Sequence, residues 1–231
     1  MMNDDMPGGP MVKRSVHFFW LLDCSTSMGS SGKIAALNYA IREALPDMVQ
    51  AARSNPAASL ELRSLTFSTG AQWHHSTPVA VEEFSWTDVS AYGVTDMGAA
   101  FRLVSEKLQT PPMPDRALPP VLALVSDGQP TDDWRTGLRM LNGTPWGKRA
   151  LRLAIAIGDD ADLGMLKEFL GNPELEPYTT KNAKELAKAI RWASTVAVIA
   201  ASTPRDGDLG VLPKTLTADL PTGDDDDEEI W

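Results

Sequence analysis

Three apolar runs of strand length constrain this chain more than any other feature: Ser15–Leu22 (SVHFFWLL), Pro119–Val125 (PPVLALV) and Ala150–Ile157 (ALRLAIAI). None alternates cleanly between apolar and polar residues, so each reads as a strand buried on both faces. Each also stops abruptly at a polar loop, at residues 23–33, 126–133 and 158–161. Helical patterns lie between and after them. Ile34, Leu37, Ile41, Leu45 and Met48 recur at helical spacing, and Pro46 inside that series predicts a kink or a second segment. Met97–Leu108, Asp132–Leu141, Leu163–Leu170 and Asn182–Ala201 continue the series. Ser59–Phe67 alternates and is followed, after a turn at Gly70, by Gln72–Val81 as a partner strand. Alternation of this kind predicts a Rossmann-like, doubly wound α/β fold. Its central sheet would be mostly parallel, with one antiparallel edge strand and helices on both faces.

The 231 residues suit one large domain with flanking segments. The expected division is a disordered leader at 1–12, the domain at 13–202 and a disordered acidic tail at 203–231. The formal net charge of −10 argues against binding nucleic acid through phosphate neutralisation. Much of that charge is in the tail, where nine acidic residues face only Arg205 and Lys214. No apolar run near the N-terminus approaches the ~20 residues of a membrane span, and no signal-peptide layout is evident. The single cysteine, Cys24, excludes an intrachain disulfide, and the three histidines are too few for an ordinary zinc site. A cytoplasmic protein is expected.

Candidate chemistry begins where the first strand ends. Asp23, Ser25 and Ser27 alternate there, offering three oxygen side chains to one point. A carboxylate with hydroxyls makes a hard, oxygen-only, weakly charged site suited to Mg²⁺, with Mn²⁺ or Ca²⁺ as alternatives. Alone, the spacing suits a capped strand-to-helix turn equally well. Two further features favour a site. Asp127 ends a second central strand in VSDGQPTDD, and Thr95 lies in the loop AYGVTDMG before a helix. Ligands of doubly wound sheets bind outside the carboxyl ends of the strands, where Asp23 and Asp127 are expected to meet.

Asp23-x-Ser25-x-Ser27, the loop Thr95 and the strand-terminal Asp127 together resemble the metal-ion-dependent adhesion site (MIDAS) of von Willebrand factor A domains. The wording LLDCSTSMG, GVTDMGAAF and VSDGQPTDDW is similar to the bacterial TerY-like group associated with tellurite resistance. The resemblance implies direct metal ligation by Ser25 and Ser27, conditional ligation by Thr95, and waters held by Asp23 and Asp127. It implies one position open for a partner's Asp or Glu. It also implies a non-enzymatic assembly part of a bacterial stress-response or defence system, with a Ser/Thr kinase and a PP2C-type phosphatase as partners. Val94 departs from the pattern, because many relatives carry a glycine directly before the loop threonine.

Two other readings compete. A haloacid-dehalogenase-like, Mg²⁺-dependent phosphohydrolase also begins with an Asp after the first strand. It needs a second Asp two residues later as general acid, and here that residue is Ser25. A purely structural cation tying two loops is the other. GSSGK at 29–33 is too short for a Walker-type phosphate loop. The acidic end, residues 224–231, closes on Ile230 and Trp231 and is expected either to solubilise the chain or to dock on a basic surface. Cys24 is expected to pack as a small hydrophobe, and Trp134 to lie either in the core or on the rim of the metal face.

Overall fold

A computed structural model describes residues 13–202; the expected leader at 1–12 and tail at 203–231 lie outside the described residues. Six strands form one sheet in the order β3-β2-β1-β4-β5-β6. They are β1 (Arg14–Asp23), β2 (Ala58–Ser68), β3 (Gly70–Ala80), β4 (Val121–Ser126), β5 (Leu151–Ile157) and β6 (Tyr178–Thr180). All neighbours pair in parallel except β2 and β3, the antiparallel edge pair. Five helices flank the sheet: α1 (Lys33–Ser54), α2 (Met97–Lys107), α3 (Trp134–Gly143), α4 (Leu163–Leu170) and α5 (Ala183–Ser202).

The unbroken apolar runs are explained by two separate cores. Side chains alternate across a strand, so Val16, Phe18, Trp20 and Leu22 of β1 face one way and pack with Leu37, Ile41 and Met48 of α1 and Leu186 and Ile190 of α5. Phe19 and Leu21 face the other way, against Phe101 and Val104 of α2, Leu138 of α3 and Phe169 of α4. Every residue of β1 from Val16 to Asp23 is buried. Each large apolar side chain so buried stabilises the fold by roughly 1.5–3 kcal/mol relative to exposure. The α2–α3 approach depends on glycine: a Cβ on Gly137 would lie 2.5 Å from the Gly98 carbonyl oxygen.

Two local expectations change. α1 runs through Pro46 as one helix instead of dividing there. The ring lies on the exposed side, where the carbonyl left without a donor can be hydrated, and buried Ala44 and Met48 keep the helix on the core. β6 is a strand that the sequence pattern did not announce. Its three residues have no apolar run and are held by pairing with Ile155–Ile157 of β5. Among the described residues, no helix is long and apolar enough to cross a membrane.

Candidate metal centre

The strand order places the candidate residues. β1 lies between β2 and β4, so the chain leaves it in both directions, and the crevice at the carboxyl ends of β1 and β4 is the switch point of the sheet. Leu22 pairs with Val125, which brings Asp23 and the Ser126–Asp127 corner side by side.

Asp23 is fully buried. Its Oδ1 accepts the Ser25 backbone N–H at 2.8 Å and its Oδ2 accepts the Ser126 hydroxyl at 2.5 Å. Burial pushes its carboxyl up to about 6; the hydrogen bonds from Ser126 and Ser25 oppose that rise, and the Asp127 charge adds to it. Asp127 is 1% exposed. Its Oδ1 accepts the Ser27 hydroxyl at 2.7 Å, and its Oδ2 accepts the Lys33 ammonium at 2.9 Å. Ser25 Oγ lies 2.9 Å from Ser27 Oγ. Because the single Ser27 proton goes to Asp127, Ser25 is the donor in that pair. A continuous polar chain thus runs Ser25–Ser27–Asp127–Lys33.

Thr95 joins from the third loop. A Cβ on Gly128 would lie 3.5 Å from Thr95 Oγ1 and 3.6 Å from Ser27 Oγ, so the two hydroxyls border the same glycine. The Thr95 backbone is fixed by Thr131, whose hydroxyl accepts its N–H at 3.1 Å and whose N–H donates to its carbonyl at 2.9 Å. Asp96 braces the same loop by accepting the Gly70 N–H at 2.7 Å and the Thr131 hydroxyl at 3.0 Å. Gly93 ties this loop to the first. Its carbonyl accepts both the N–H and the hydroxyl of Thr26, at 3.1 and 2.8 Å. With φ of 70° and a hypothetical Cβ 2.3 Å from Thr69 Oγ1, that position admits only glycine. Val94, beside it, is 45% exposed.

All five sequence-predicted residues therefore come together: Asp23, Ser25, Ser27 and Asp127 through one hydrogen-bond cluster, and Thr95 across Gly128. Three further participants were not anticipated. Lys33, Ser126 and Thr131 act through partners 94, 103 and 35 or 36 residues away, which no local pattern reveals. The other rim carboxylates cap or brace. Asp133 accepts the Thr136 N–H at the start of α3, and Asp132 accepts the Gly98 and Ala99 N–H groups at the start of α2. Trp134 lies in the core at 8% exposure, not on the metal rim. Cys24 is buried, and burial pushes its thiol up to about 12, so it packs as an inert apolar group. His74 and His75 are half-buried, their rings tilted against Trp86 and Phe84 respectively.

The donor set fits a hard divalent cation. Among the described residues no three His, Cys, Asp or Glu side chains group together, so the cluster relies on two carboxylates supplemented by hydroxyls. Oxygens bound next to each other on Mg²⁺, at about 2.1 Å from the ion, would stand about 3 Å apart. The 2.9 Å between the Ser25 and Ser27 hydroxyls is compatible with that spacing.

No protein-family model and no curated protein matches the chain. Solved structures do. A von Willebrand factor type A protein from Catenulispora acidiphila aligns with TM-score 0.62 and 16% identity, over 80% of this chain and 43% of that one. The ArnB paralog VWA2 from Sulfolobus acidocaldarius aligns with TM-score 0.54 and 19% identity, over 82% and 46%. Proximal thread matrix protein 1 from the mussel byssus, with a zinc-occupied MIDAS motif, aligns with TM-score 0.61 and 14% identity, over 79% and 48%. The chain spans less than half the length of each of these proteins. At such identities the likeness is one of fold: the chain has the Rossmann-like α/β fold of a von Willebrand factor A domain.

Proposed function

We propose that this domain is a metal-dependent protein-interaction module in which Asp23, Ser25, Ser27, Thr95 and Asp127 hold one divalent cation. The single observation that carries the reading is the hydrogen-bonded cluster of hydroxyls and carboxylates at the switch point of the sheet. Mg²⁺ is the ion we assign, on the hardness of the all-oxygen donor set and its abundance of neutral hydroxyls. When bound, the ion supplies a positive charge that attracts a carboxylate, since hydroxyl ligands neutralise little of it. The chain's own residues do the rest. Ser126 and the Ser25 N–H fix the Asp23 carboxylate, and Thr131 with Asp96 fixes Thr95. The ligand we assign is an Asp or Glu side chain of a partner protein.

Support for a bacterial stress-response role, with kinase and phosphatase partners, is the TerY-like wording of the three motif segments. A non-enzymatic role is supported by Ser25, which stands where a dehalogenase-type phosphohydrolase needs its general acid and is engaged with Ser27. The test is a pull-down from native lysate with Mg²⁺ or EDTA, comparing wild type with Asp127→Ala. Capture that requires both Mg²⁺ and Asp127 is expected. Capture indifferent to both contradicts the reading, and Mg²⁺-dependent phosphatase turnover lost in Asp23→Asn replaces it with the enzymatic one.

A further inference from the structure

We propose that Lys33 is an internal counter-cation that keeps the site a weak trap for metal alone and makes metal and carboxylate binding depend on each other. The inference rests on the metal-site reading above and concerns what this chain adds to it.

Lys33 is the first residue of α1, a position where a cation opposes the helix dipole. It is also buried, at 6% exposure, where an ammonium is costly unless paired. Helix formation therefore does not account for a lysine here. The chain turns sharply to place it: Ser31 and Gly32 both adopt left-handed backbone, with φ of 50° and 74°. The ammonium then reaches Asp127 Oδ2 at 2.9 Å, with the two side chains 8% and 0% exposed.

The pair changes the charge that a cation meets. The cluster's ionisable groups are the Asp23 and Asp127 carboxylates and the Lys33 ammonium, so their formal charge sums to one negative instead of two. A divalent ion entering this cluster leaves it with one net positive charge, buried at the crevice. One incoming carboxylate restores neutrality, and by linkage the metal is then held more tightly to the same degree. Lys33 thus disfavours the metal-only state relative to the state holding both metal and carboxylate. Without Lys33, two uncompensated carboxylates would bind the ion well on their own.

The experiment is titration of the full chain with Mn²⁺ by calorimetry, in chloride and again with acetate substituted for chloride at constant ionic strength. Wild type is compared with Lys33→Met, Lys33→Gln and Lys33→Arg, with Ser25→Ala/Ser27→Ala as the site control. Lys33→Gln keeps a donor for Asp127 without the charge, so a folding defect in Lys33→Met leaves the question answerable. Both neutral variants are expected to bind Mn²⁺ about tenfold or more tightly than wild type, and Lys33→Arg within about threefold of it. Acetate is expected to tighten Mn²⁺ binding more in wild type than in the neutral variants. Folded neutral variants that bind Mn²⁺ equally or more weakly, while wild type binds and the serine control does not, overturn the inference and leave the metal site standing. Absence of Mn²⁺ binding by wild type and all Lys33 variants overturns both.

Discussion

Among the places where the sheet buries charge, two are built differently. At the carboxyl end of β1 and β4, carboxylates, hydroxyls and an ammonium converge from distant loops. Toward the other end of β1 and β2, Arg63 is 3% exposed beside His17 at 4%; among the described residues no carboxylate forms an ion pair with it, and Glu61 acts on it only at longer range. Arg63 Nη1 donates to His17 Nδ1 at 2.8 Å, which puts the imidazole proton on Nε2, facing Ser15 Oγ at 3.1 Å. The guanidinium lies 5.1 Å from the centre of the Phe19 ring, and Arg63 Nε has no partner. The second cluster is closed by a neutral base and an aromatic face and tolerates its charge. The first is lined by oxygens whose spacing is compatible with a cation. Burial of charge alone does not mark a site; convergence of acceptors from separate loops does.

Removing one partner at each place separates the two most sharply. Asp127→Ala leaves the Lys33 ammonium buried without a counter-charge, and a loss of about 3–5 kcal/mol is expected from urea unfolding in EDTA. Acidification tests the other cluster. Burial, and then the Arg63 charge, push His17 down to about 4, below the ordinary value of 6.5. Its native pKa lies below its unfolded one, so its contribution is complete above about pH 6.5 and is lost as pH falls toward 4. Wild type is expected to lose on the order of 2 kcal/mol more than His17→Gln between pH 7 and 4, read from urea midpoints. Arg63→Met is expected to cost about 1–2 kcal/mol, less than Asp127→Ala, because the lost His17 hydrogen bond and Phe19 contact are partly offset by removal of a buried cation. A loss as large as that of Asp127→Ala would erase the contrast between the two clusters.

A stability effect well below that of Asp127→Ala is also expected of Ser25→Ala/Ser27→Ala. Two hydroxymethyl side chains beside a charged group are cut back to methyls, at about 1–2 kcal/mol in EDTA. The distinguishing readout is Mg²⁺: wild type is expected to gain thermal stability on its addition, and the double variant is not.

Local pattern carried much of this structure. β1, β4 and β5 were legible because strands buried on both faces are written as unbroken apolar runs, and the β2–β3 edge pair because Gly70 separates two extended segments. β6 was not, since Tyr178–Thr180 is defined by its neighbour and not by its own residues. At Pro46 no second segment begins, because local propensity yields to packing when the ring faces water. In the site, Asp23, Ser25 and Ser27 lie close enough in sequence to form a visible motif. Lys33 sits at the end of a Ser/Gly loop whose composition says nothing of Asp127, and Ser126 reads only as the last residue of a strand. Their roles arise from register between β1 and β4, which is a property of the sheet.

One divalent cation is expected among Asp23, Ser25, Ser27, Thr95 and Asp127. Anomalous diffraction from crystals grown with Mn²⁺ tests it most directly. A single strong peak is expected, bordered by the Ser25, Ser27 and Thr95 hydroxyls and absent in Ser25→Ala/Ser27→Ala. Full-occupancy Mn²⁺ elsewhere, with the Ser27–Asp127 hydrogen bond intact and no peak beside it, would contradict it.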